Sequence, residues 1–195
     1  MNAPAERRAL RREMRRRRRA LNVSERRAAA RALSSRLAGS RWFVNSRTIA
    51  VYLSNDGEID LFPLVERAWA MGKRTYLPKL FGPRLWFLPF HARSTLAANR
   101  FSIPEPAEPA RRRIRPLFLD LVLFPLVAFD AGGNRLGMGA GFYDKTFEAV
   151  LRRTVWKGPK RIGIAYEMQR VDSLPAADWD VPLDAIVTER TIRVS

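Results

Sequence analysis

A glycine-rich stretch at residues 132–144 constrains this chain more than any other part of its sequence. Five of the chain's eleven glycines lie there, in the order Gly-Gly-Asn-Arg-Leu-Gly-Met-Gly-Ala-Gly-Phe-Tyr-Asp. An apolar run at 121–130 precedes the stretch, and a helical pattern at 145–152 follows it. A strand, a glycine-rich loop and a helix in this order direct backbone N–H groups and the positive end of a helix dipole at a phosphate. The stretch therefore predicts a phosphate-binding loop.

This loop differs from the two common nucleotide-binding motifs. A P-loop ends in Gly-Lys-Ser or Gly-Lys-Thr, whereas Gly141 is followed by an aromatic residue. The dinucleotide fingerprint has two residues between its last glycines, and the spacing of Gly137, Gly139 and Gly141 lacks them. Glycine clusters are often plain surface turns. The density of glycines favours a phosphate site here, with Arg135 beside it and Asp144 available to hold a metal ion.

The composition excludes several kinds of site. The chain has no cysteine and a single histidine, His91, so it has no disulfide, thiolate metal site, thiol nucleophile or histidine cluster. We interpret His91 as incidental. No segment approaches the ~20 apolar residues of a membrane span, and the basic N-terminus offers no apolar signal core. We expect one domain over residues 1–195 and a monomeric, cytoplasmic protein.

The positive charge is concentrated at the N-terminus. Residues 1–36 hold thirteen arginines and three glutamates, and so carry ten of the seventeen net positive charges of the chain. Such a block can bind nucleic acid through the release of counterions. It can equally form a solvated helix face from which a few arginines contact a phosphorylated small molecule. The residues alone leave both interpretations open.

Hydrophobic patterns predict the order of helices and strands. Two N-terminal helices are expected, one at 6–21 and one that begins at a Ser24 cap and ends at Gly39. A β-α-β unit follows, with strands at 48–53 and 73–78 around a helix at 60–72. An irregular segment is expected at 99–116, a helix at 141–153, and further strands at 85–90, 120–125, 160–166 and 184–188. The predicted class is α/β, with an open, mostly parallel sheet, helices on both faces in three layers and an N-terminal helical pair.

Acidic residues lie near the predicted ends of strands. Glu58 follows the first strand, and Asp130 and Asp144 flank the glycine-rich stretch. Asp180 and Asp184 precede the last strand. Open α/β sheets bind ligands at the carboxyl ends of their strands, so these carboxylates are candidate site residues.

The segment at 135–144 resembles the signature Arg-Leu/Ile-Gly-x-Gly-x-Gly-Tyr-Tyr-Asp of the 5-formyltetrahydrofolate cyclo-ligase family, also called methenyltetrahydrofolate synthetases. Four more segments resemble family patterns in the same order, at 7–11, 58–60, 101–106 and 179–189. The resemblance implies a ligase of folate metabolism that forms a C–N bond and uses ATP and Mg²⁺. It would convert 5-formyltetrahydrofolate to 5,10-methenyltetrahydrofolate, releasing ADP and phosphate through a phosphorylated imidate.

The resemblance also implies roles for individual residues. ATP would contact Arg7, Arg8 and Arg11 of the first helix and the loop residues Arg135, Leu136, Gly137, Met138, Gly139, Ala140, Gly141, Phe142 and Tyr143. The folate substrate would contact Leu53, Glu58, Phe101, Met138, Gly139, Ala140, Gly141 and Phe142, with Glu58 accepting hydrogen bonds from the pterin ring. Asp144 and Asp180 would hold Mg²⁺. The implied catalytic residues are Arg135, Tyr143 and Asp144.

Three positions depart from the family pattern. Arg7 replaces the usual lysine, Ala140 a glycine or lysine, and Phe142 a tyrosine. Two alternatives to the enzyme stay open, the first because of the arginines at 7–19 and the second because of Ala140 and Phe142. One is a basic nucleic-acid-binding protein, and the other is a diverged folate or nucleotide binder that lacks the cyclo-ligase step.

Overall fold

The structure, a computed structural model, describes residues 3–151, 158–174 and 180–194. Its helices are α1 (Ala3–Ala20), α2 (Val23–Ala38), α3 (Arg41–Val44), α4 (Phe62–Ala70) and α5 (Phe142–Leu151). Its first six strands are β1 (Thr48–Ala50), β2 (Arg74–Phe81), β3 (Arg84–Phe90), β4 (Leu96–Ala98), β5 (Pro104–Pro106) and β6 (Leu121–Pro125). The others are β7 (Ala128–Phe129), β8 (Arg135–Leu136), β9 (Lys160–Ile164), β10 (Ala185–Val187) and β11 (Ile192–Val194).

Seven of these strands form one sheet in the order β11-β10-β9-β6-β1-β2-β3. The inner strands β10, β9, β6, β1 and β2 run parallel, and the two edge strands are antiparallel to their neighbours. Strands β1 and β10 and most of β6 are buried, and apart from Thr48 they are apolar on both sides, as expected where helices cover a parallel sheet. The predicted α/β class with a mostly parallel sheet is confirmed.

Helices cover both faces of this sheet. On one face, Leu33 of α2 and Leu64 of α4 pack in a cluster with Ile49 of β1. On the other face, Phe147 of α5 packs with Phe124, their ring centroids 5.3 Å apart. The alternation of side chains along each strand directs neighbouring residues to opposite faces, which gives three layers. This arrangement agrees with the prediction.

The N-terminal helical pair is present, but its second helix begins earlier than expected. Asn22, rather than Ser24, is the residue that caps α2. Its side-chain oxygen accepts a hydrogen bond from the Glu25 N–H at 2.9 Å, and the Glu25 carboxylate accepts one from the Asn22 N–H at 2.7 Å. This reciprocal pair satisfies two N–H groups at once, which explains why Asn22 is the cap.

The glycine-rich stretch is two structural units rather than one loop. Residues 128–136 form a β-hairpin in which β7 pairs with β8, so Gly132 and Gly133 belong to a turn. Only the segment at 137–141 leads directly into α5. The segment expected to be irregular contains β5, which pairs with β4. Strands β4 and β11 were not predicted. Residues 152–153 of the predicted helix and Trp179 lie outside the described residues.

The strand order creates a crevice between β1 and β6. The chain passes from β1 through α4 to β2 on one side, and β6 lies on the other side of β1. The chain segments that leave β1 and β6 therefore run in different directions from the carboxyl ends of these strands. Open α/β sheets bind their ligands in a crevice at such a position. Among the described residues, none of the helices is long and apolar enough to cross a membrane. The expected cytoplasmic location stays a prediction.

Candidate active site

A cleft of about 1140 Å³ opens at the carboxyl ends of β1 and β6. Its walls come from α1, the segment after β1, the β2–β3 hairpin, the segment at 99–105, the start of α5 and the segment at 180–182. Its volume slightly exceeds the usual range for small-molecule sites, roughly 300–1,000 Å³. The cleft therefore has room for a nucleotide and a second ligand.

The segment from Gly137 to Gly141 forms one wall of the cleft. Gly139 has a φ of 102° and Gly141 a φ of 67°, values that L side chains rarely adopt. A Cβ on Gly139 would also lie 3.3 Å from Arg11 Cζ. Arg11 fixes the loop to α1, since its Nε donates a hydrogen bond to the Gly137 carbonyl oxygen at 2.8 Å. Backbone conformation thus favours glycine at both Gly139 and Gly141, and close packing against Arg11 adds to this at Gly139.

Two arginines of α1 line the cleft beside this loop. Arg7 and Arg11 are one helical turn apart and share a face. Burial lowers the pKa of the Arg11 guanidinium, the positive charge of Arg7 lowers it further, and Asp180 acts in the opposite direction. Two neighbouring cations at the N-terminal end of α5 favour an anionic ligand. Arg8 is exposed and does not line the cleft, so the structure does not bring it to the other predicted ATP contacts.

Asp144, in the first turn of α5, meets Arg135 and Val181. Its carboxylate forms an ion pair with Arg135 Nη2 and accepts a hydrogen bond from the Val181 N–H at 3.2 Å. Arg135 is 7% exposed, donates to the Val181 carbonyl at 3.1 Å, and lies 5.4 Å from the centre of the Phe124 ring. Asp144 is therefore held next to Asp180, whose carboxylate lies 3.5 Å from Arg7 Nη2.

Asp144 and Asp180 are the carboxylates at this part of the cleft that could hold a magnesium ion. Within the described ranges, no group of three His, Cys, Asp or Glu side chains could enclose a metal. Mg²⁺ is commonly bound by one or two carboxylates together with waters and substrate phosphates, rather than by a complete protein cage. The donor set at this end of the cleft is of that kind.

Another part of the cleft, the end at which the folate is expected, contains Glu58, Leu53 and Tyr143. Burial raises the pKa of Glu58 to about 7, although Arg18 and the Asn55 N–H, which donates at 3.1 Å, oppose the rise. Burial also raises the pKa of the Tyr143 hydroxyl, and the nearby Glu58 adds to the effect. Tyr143 packs against a β6 aromatic ring. This end can therefore recognise the N–H groups of a flat, polar ring.

Aromatic and apolar side chains also line the cleft. Phe101 is 51% exposed, and its ring centroid lies 6.2 Å from that of Phe142. Met138 is 47% exposed, and Ala140 lies beside it on the cleft wall. Exposed aromatic surface inside a cleft suits a planar ligand. The structure thus brings the predicted folate contacts together.

Some predicted positions lie away from the cleft. Leu136 is buried beneath the loop and packs with Met14. Asp130 has a structural role, because its carboxylate accepts hydrogen bonds from the Asn134 N–H at 2.9 Å and the Leu174 N–H at 2.8 Å. Asp184 pairs with Lys160 at 2.7 Å. These contacts account for three residues that the sequence had associated with the site.

Sequence reasoning missed Arg18 and Asp56. Arg18 is completely buried, and its Nη2 lies 2.8 Å from the Asp56 carboxylate. A usable signal existed, because Arg18 follows Met14 by four residues and so shares the buried face of α1. The uninterrupted run of arginines at 15–19 obscured it. Lys145 also lines the cleft and was not predicted.

Comparisons with known proteins agree with this geometry. Residues 3–189 match the 5-formyltetrahydrofolate cyclo-ligase family. The chain is 41% identical over 180 residues to a 5-formyltetrahydrofolate cyclo-ligase of Escherichia coli (strain K12), covering 90% of this chain and 96% of the relative. It is 40% identical over 143 residues to one from Haemophilus influenzae, covering 71% and 73% of the two chains.

Solved structures with these names have the same fold. The NMR structure of Aquifex aeolicus 5,10-methenyltetrahydrofolate synthetase matches with a TM-score of 0.81 at 33% identity, covering 96% of this chain and 92% of that one. A 5,10-methenyltetrahydrofolate synthetase from Mycoplasma pneumoniae matches with a TM-score of 0.73 at 27% identity, covering 97% and 99%. The predicted family and enzyme class are confirmed, and the chain belongs to the 5-formyltetrahydrofolate cyclo-ligase family.

Proposed function

We propose that this protein catalyses the ATP- and Mg²⁺-dependent cyclisation of 5-formyltetrahydrofolate to 5,10-methenyltetrahydrofolate, with release of ADP and phosphate. One observation carries the proposal. The glycine loop at 137–141 and the carboxylates of Asp144 and Asp180 line the same cleft as Glu58 and Phe101. Groups that would bind an anion and groups that would bind a ring system thus share one site.

The nucleotide would bind at the α1 end of the cleft. Arg7 and Arg11 supply positive charge, and the segment at 137–141 brings backbone atoms close to the phosphates ahead of the α5 N-terminus. Bound Mg²⁺ would supply charge neutralisation on the transferring phosphate, held by Asp144 and Asp180. The buried Arg135 would orient Asp144 through their ion pair.

The first chemical step needs positioning more than a protein nucleophile. The formyl oxygen attacks the γ-phosphorus of ATP, the bond to the β-bridging oxygen breaks, and ADP leaves. Phosphoryl transfer of this kind depends mainly on alignment and on stabilisation of the developing charge. Arg7 and Arg11, two cations that line the cleft, would stabilise this charge. A chain that has no cysteine and one histidine is compatible with it.

Ring closure then forms the second C–N bond. N10 attacks the carbon of the phosphorylated imidate, loses its proton, and phosphate leaves as the methenyl bridge forms. Glu58 would accept hydrogen bonds from the pterin N–H groups, and Phe101 would pack against the folate. The apolar surface of Phe142 and Met138 would limit the access of water to the reactive imidate.

An absorbance assay tests this function directly. The protein is mixed with 5-formyltetrahydrofolate, ATP and Mg²⁺, and methenyltetrahydrofolate is followed in the near ultraviolet. We expect product only when both ATP and Mg²⁺ are present, with one ADP released per product. Folded protein that binds ATP but forms no product would instead identify a diverged binder.

The nucleic-acid alternative has a separate test. Among the arginines of α1, Arg8, Arg12 and Arg16 lie on the exposed face, where nucleic acid could reach them. A nucleic-acid-binding function predicts an affinity that falls steeply as salt rises. Tight, salt-dependent RNA or DNA binding by a protein that neither binds ATP nor forms product would replace the enzyme proposal.

A further inference from the structure

Arg18 is a completely buried arginine behind the folate end of the cleft. Its Nε donates to the Asp56 carbonyl oxygen at 2.8 Å, its Nη2 contacts the Asp56 carboxylate at 2.8 Å, and its Nη1 lies 3.4 Å from the Leu126 carbonyl oxygen. The same Nη2 is 3.7 Å from the Glu58 carboxylate and 3.9 Å from Met138 Sδ. One guanidinium thus contacts the ends of β1 and β6 and the glycine loop.

The segment at 55–58 is packed tightly against the end of α1. Gly57 has a φ of 77°, and a Cβ on it would lie 3.1 Å from the Arg18 carbonyl oxygen. The Asp56 carboxylate also forms ion pairs with Arg15, at 2.6 Å, and with Arg19. Burial raises the pKa of Asp56, but the hydrogen bonds from these arginines outweigh it and lower the pKa to about 2. Asp56 therefore stays ionised and keeps this segment on the helix.

We propose that Arg18 is a positioning residue for the folate end of the cleft, and that its guanidinium fixes the segment at 55–58, and with it the Glu58 carboxylate, against α1. Arg18 does not line the cleft, so it acts through Glu58 rather than on the substrate. The proposal rests on the proposed function for the identity of the ligand that Glu58 binds. Arg11, two turns earlier on the same helix, serves the nucleotide end, so one helix organises both ends of the site.

Arg18 also affects the pKa of Glu58, which can be measured. The groups facing Glu58 are Arg18 and Arg15 of α1, Asp56 of its own segment, and the hydroxyls of Tyr52 and Tyr143. After burial, which raises the pKa of Glu58, Arg18 is the largest influence, and it lowers that pKa. Removal of the Arg18 charge therefore raises the pKa of Glu58 and leaves less of the carboxylate ionised at neutral pH.

Three variants of adjacent residues test the proposal. Arg18→Met removes the guanidinium but keeps an extended side chain. Arg18→Lys keeps a positive charge, but a compact ammonium cannot reproduce the fork that joins Asp56 to Leu126. Arg17→Lys is the matched control, because Arg17 is exposed and pairs with Glu13 on the outer face of α1. Each protein is checked for folding by thermal unfolding.

Two readouts are measured on each variant. The first is the pKa of Glu58 in the ligand-free protein, followed by carbon-13 NMR of the carboxyl group and assigned with Glu58→Gln. The second is the pair of KM values for 5-formyltetrahydrofolate and ATP. We expect Arg18→Met to raise the pKa of Glu58 by about 1 to 3 pH units, and Arg18→Lys to raise it less. We expect both to reduce kcat/KM for the folate by about tenfold to a hundredfold while the KM for ATP changes by less than about twofold.

The possible outcomes separate a positioning role from a structural one. A lower melting temperature with unchanged Glu58 pKa and unchanged folate KM in the folded Arg18 variants would overturn the proposal. If Arg18→Met does not fold, Arg18→Lys still decides the question through the folate KM. If wild-type protein forms no product, the proposed function fails separately, and the NMR titration still shows whether Arg18 controls Glu58.

Discussion

The carboxylate of Asp144 accepts a hydrogen bond from the backbone N–H of Val181 at 3.2 Å. This contact joins the first turn of α5 to the segment that carries Asp180, 36 residues further along the chain. Asp180 in turn contacts Arg7 at 3.5 Å. The start of α1, the start of α5 and the segment before β10 therefore meet at one end of the cleft, where two carboxylates and two arginines surround the expected position of the Mg-nucleotide.

We expect Asp144→Asn to weaken the response to Mg²⁺. The amide keeps the shape of the side chain and can still accept the Val181 hydrogen bond, but it lacks the negative charge that a hard cation prefers. The Mg²⁺ concentration for half-maximal activity should rise at least about tenfold, with activity partly restored at high Mg²⁺. Asp172→Asn, at an exposed position that does not line the cleft, is the control. A wild-type Mg²⁺ response in Asp144→Asn would exclude the metal role.

Gly139→Ala should impair ATP binding beyond its effect on stability. Its φ of 102° strains any L residue, and the added Cβ would lie 3.3 Å from Arg11 Cζ. Gly72→Ala is a suitable control, since Gly72 has a φ of 68° with nothing within 4 Å of a Cβ. Both should lose about 1–2 kcal/mol of stability, whereas only Gly139→Ala should raise the Kd for ATP, by about tenfold, in calorimetric titration. Equal ATP affinity in the two variants would contradict a phosphate role for the loop.

Arg11→Ala should raise the KM for ATP more than the KM for the folate. The substitution removes a cation that lines the cleft and also the 2.8 Å hydrogen bond to the Gly137 carbonyl that holds the loop. We expect about a tenfold to hundredfold rise for ATP, because a charge-assisted contact is lost. Arg12→Ala, on the exposed face of α1, should leave both values unchanged. Equal rises for both substrates in Arg11→Ala would indicate a structural role instead.

The sequence predicted the elements whose signals are local. The apolar run at β6, the amphipathic pattern at α4 and the glycines before α5 each carry enough information within a few residues. Family resemblance then indicated Arg7, Glu58 and Asp144, and all three line one cleft. These predictions depended on residue type and spacing within short segments. They required no knowledge of contacts between distant parts of the chain.

The remaining features depend on contacts between distant segments. The spacing of four from Met14 places Arg18 on the inner face of α1, but only its distant partners Asp56 and Leu126 show that it is buried, unlike the exposed Arg16 and Arg17 beside it. Asp130 likewise follows a strand as a ligand residue would, but its carboxylate is satisfied by Leu174 N–H, 44 residues away. Long-range partners decide which charged residues are structural, and one sequence does not specify them.

The raised pKa of Glu58 makes a final prediction about stability and pH. The pKa is about 7 in the folded protein against an ordinary value of 4.5, so the folded state binds this proton more tightly than the unfolded state. The resulting stabilisation is complete below pH 4.5, is lost as pH rises through 7, and amounts to about 3 kcal/mol. Glu58→Gln cannot ionise, and Arg18 keeps its ion pair with Asp56 in that variant.

The free energy of unfolding in urea at pH 5 and pH 8 measures this effect. The stability of Glu58→Gln relative to wild type should increase between the two pH values, by up to about 3 kcal/mol. Glu66→Gln, on the exposed side of α4, is the control. Its free energy of unfolding should differ from that of wild type by the same amount at pH 5 and at pH 8. Each variant differs from wild type at a single carboxyl group. The contributions of all other titrating groups to the pH dependence therefore cancel in the difference between variant and wild type. A difference for Glu58→Gln that does not change with pH would mean that Glu58 titrates at its ordinary pKa, and that burial at the folate end of the cleft does not perturb it.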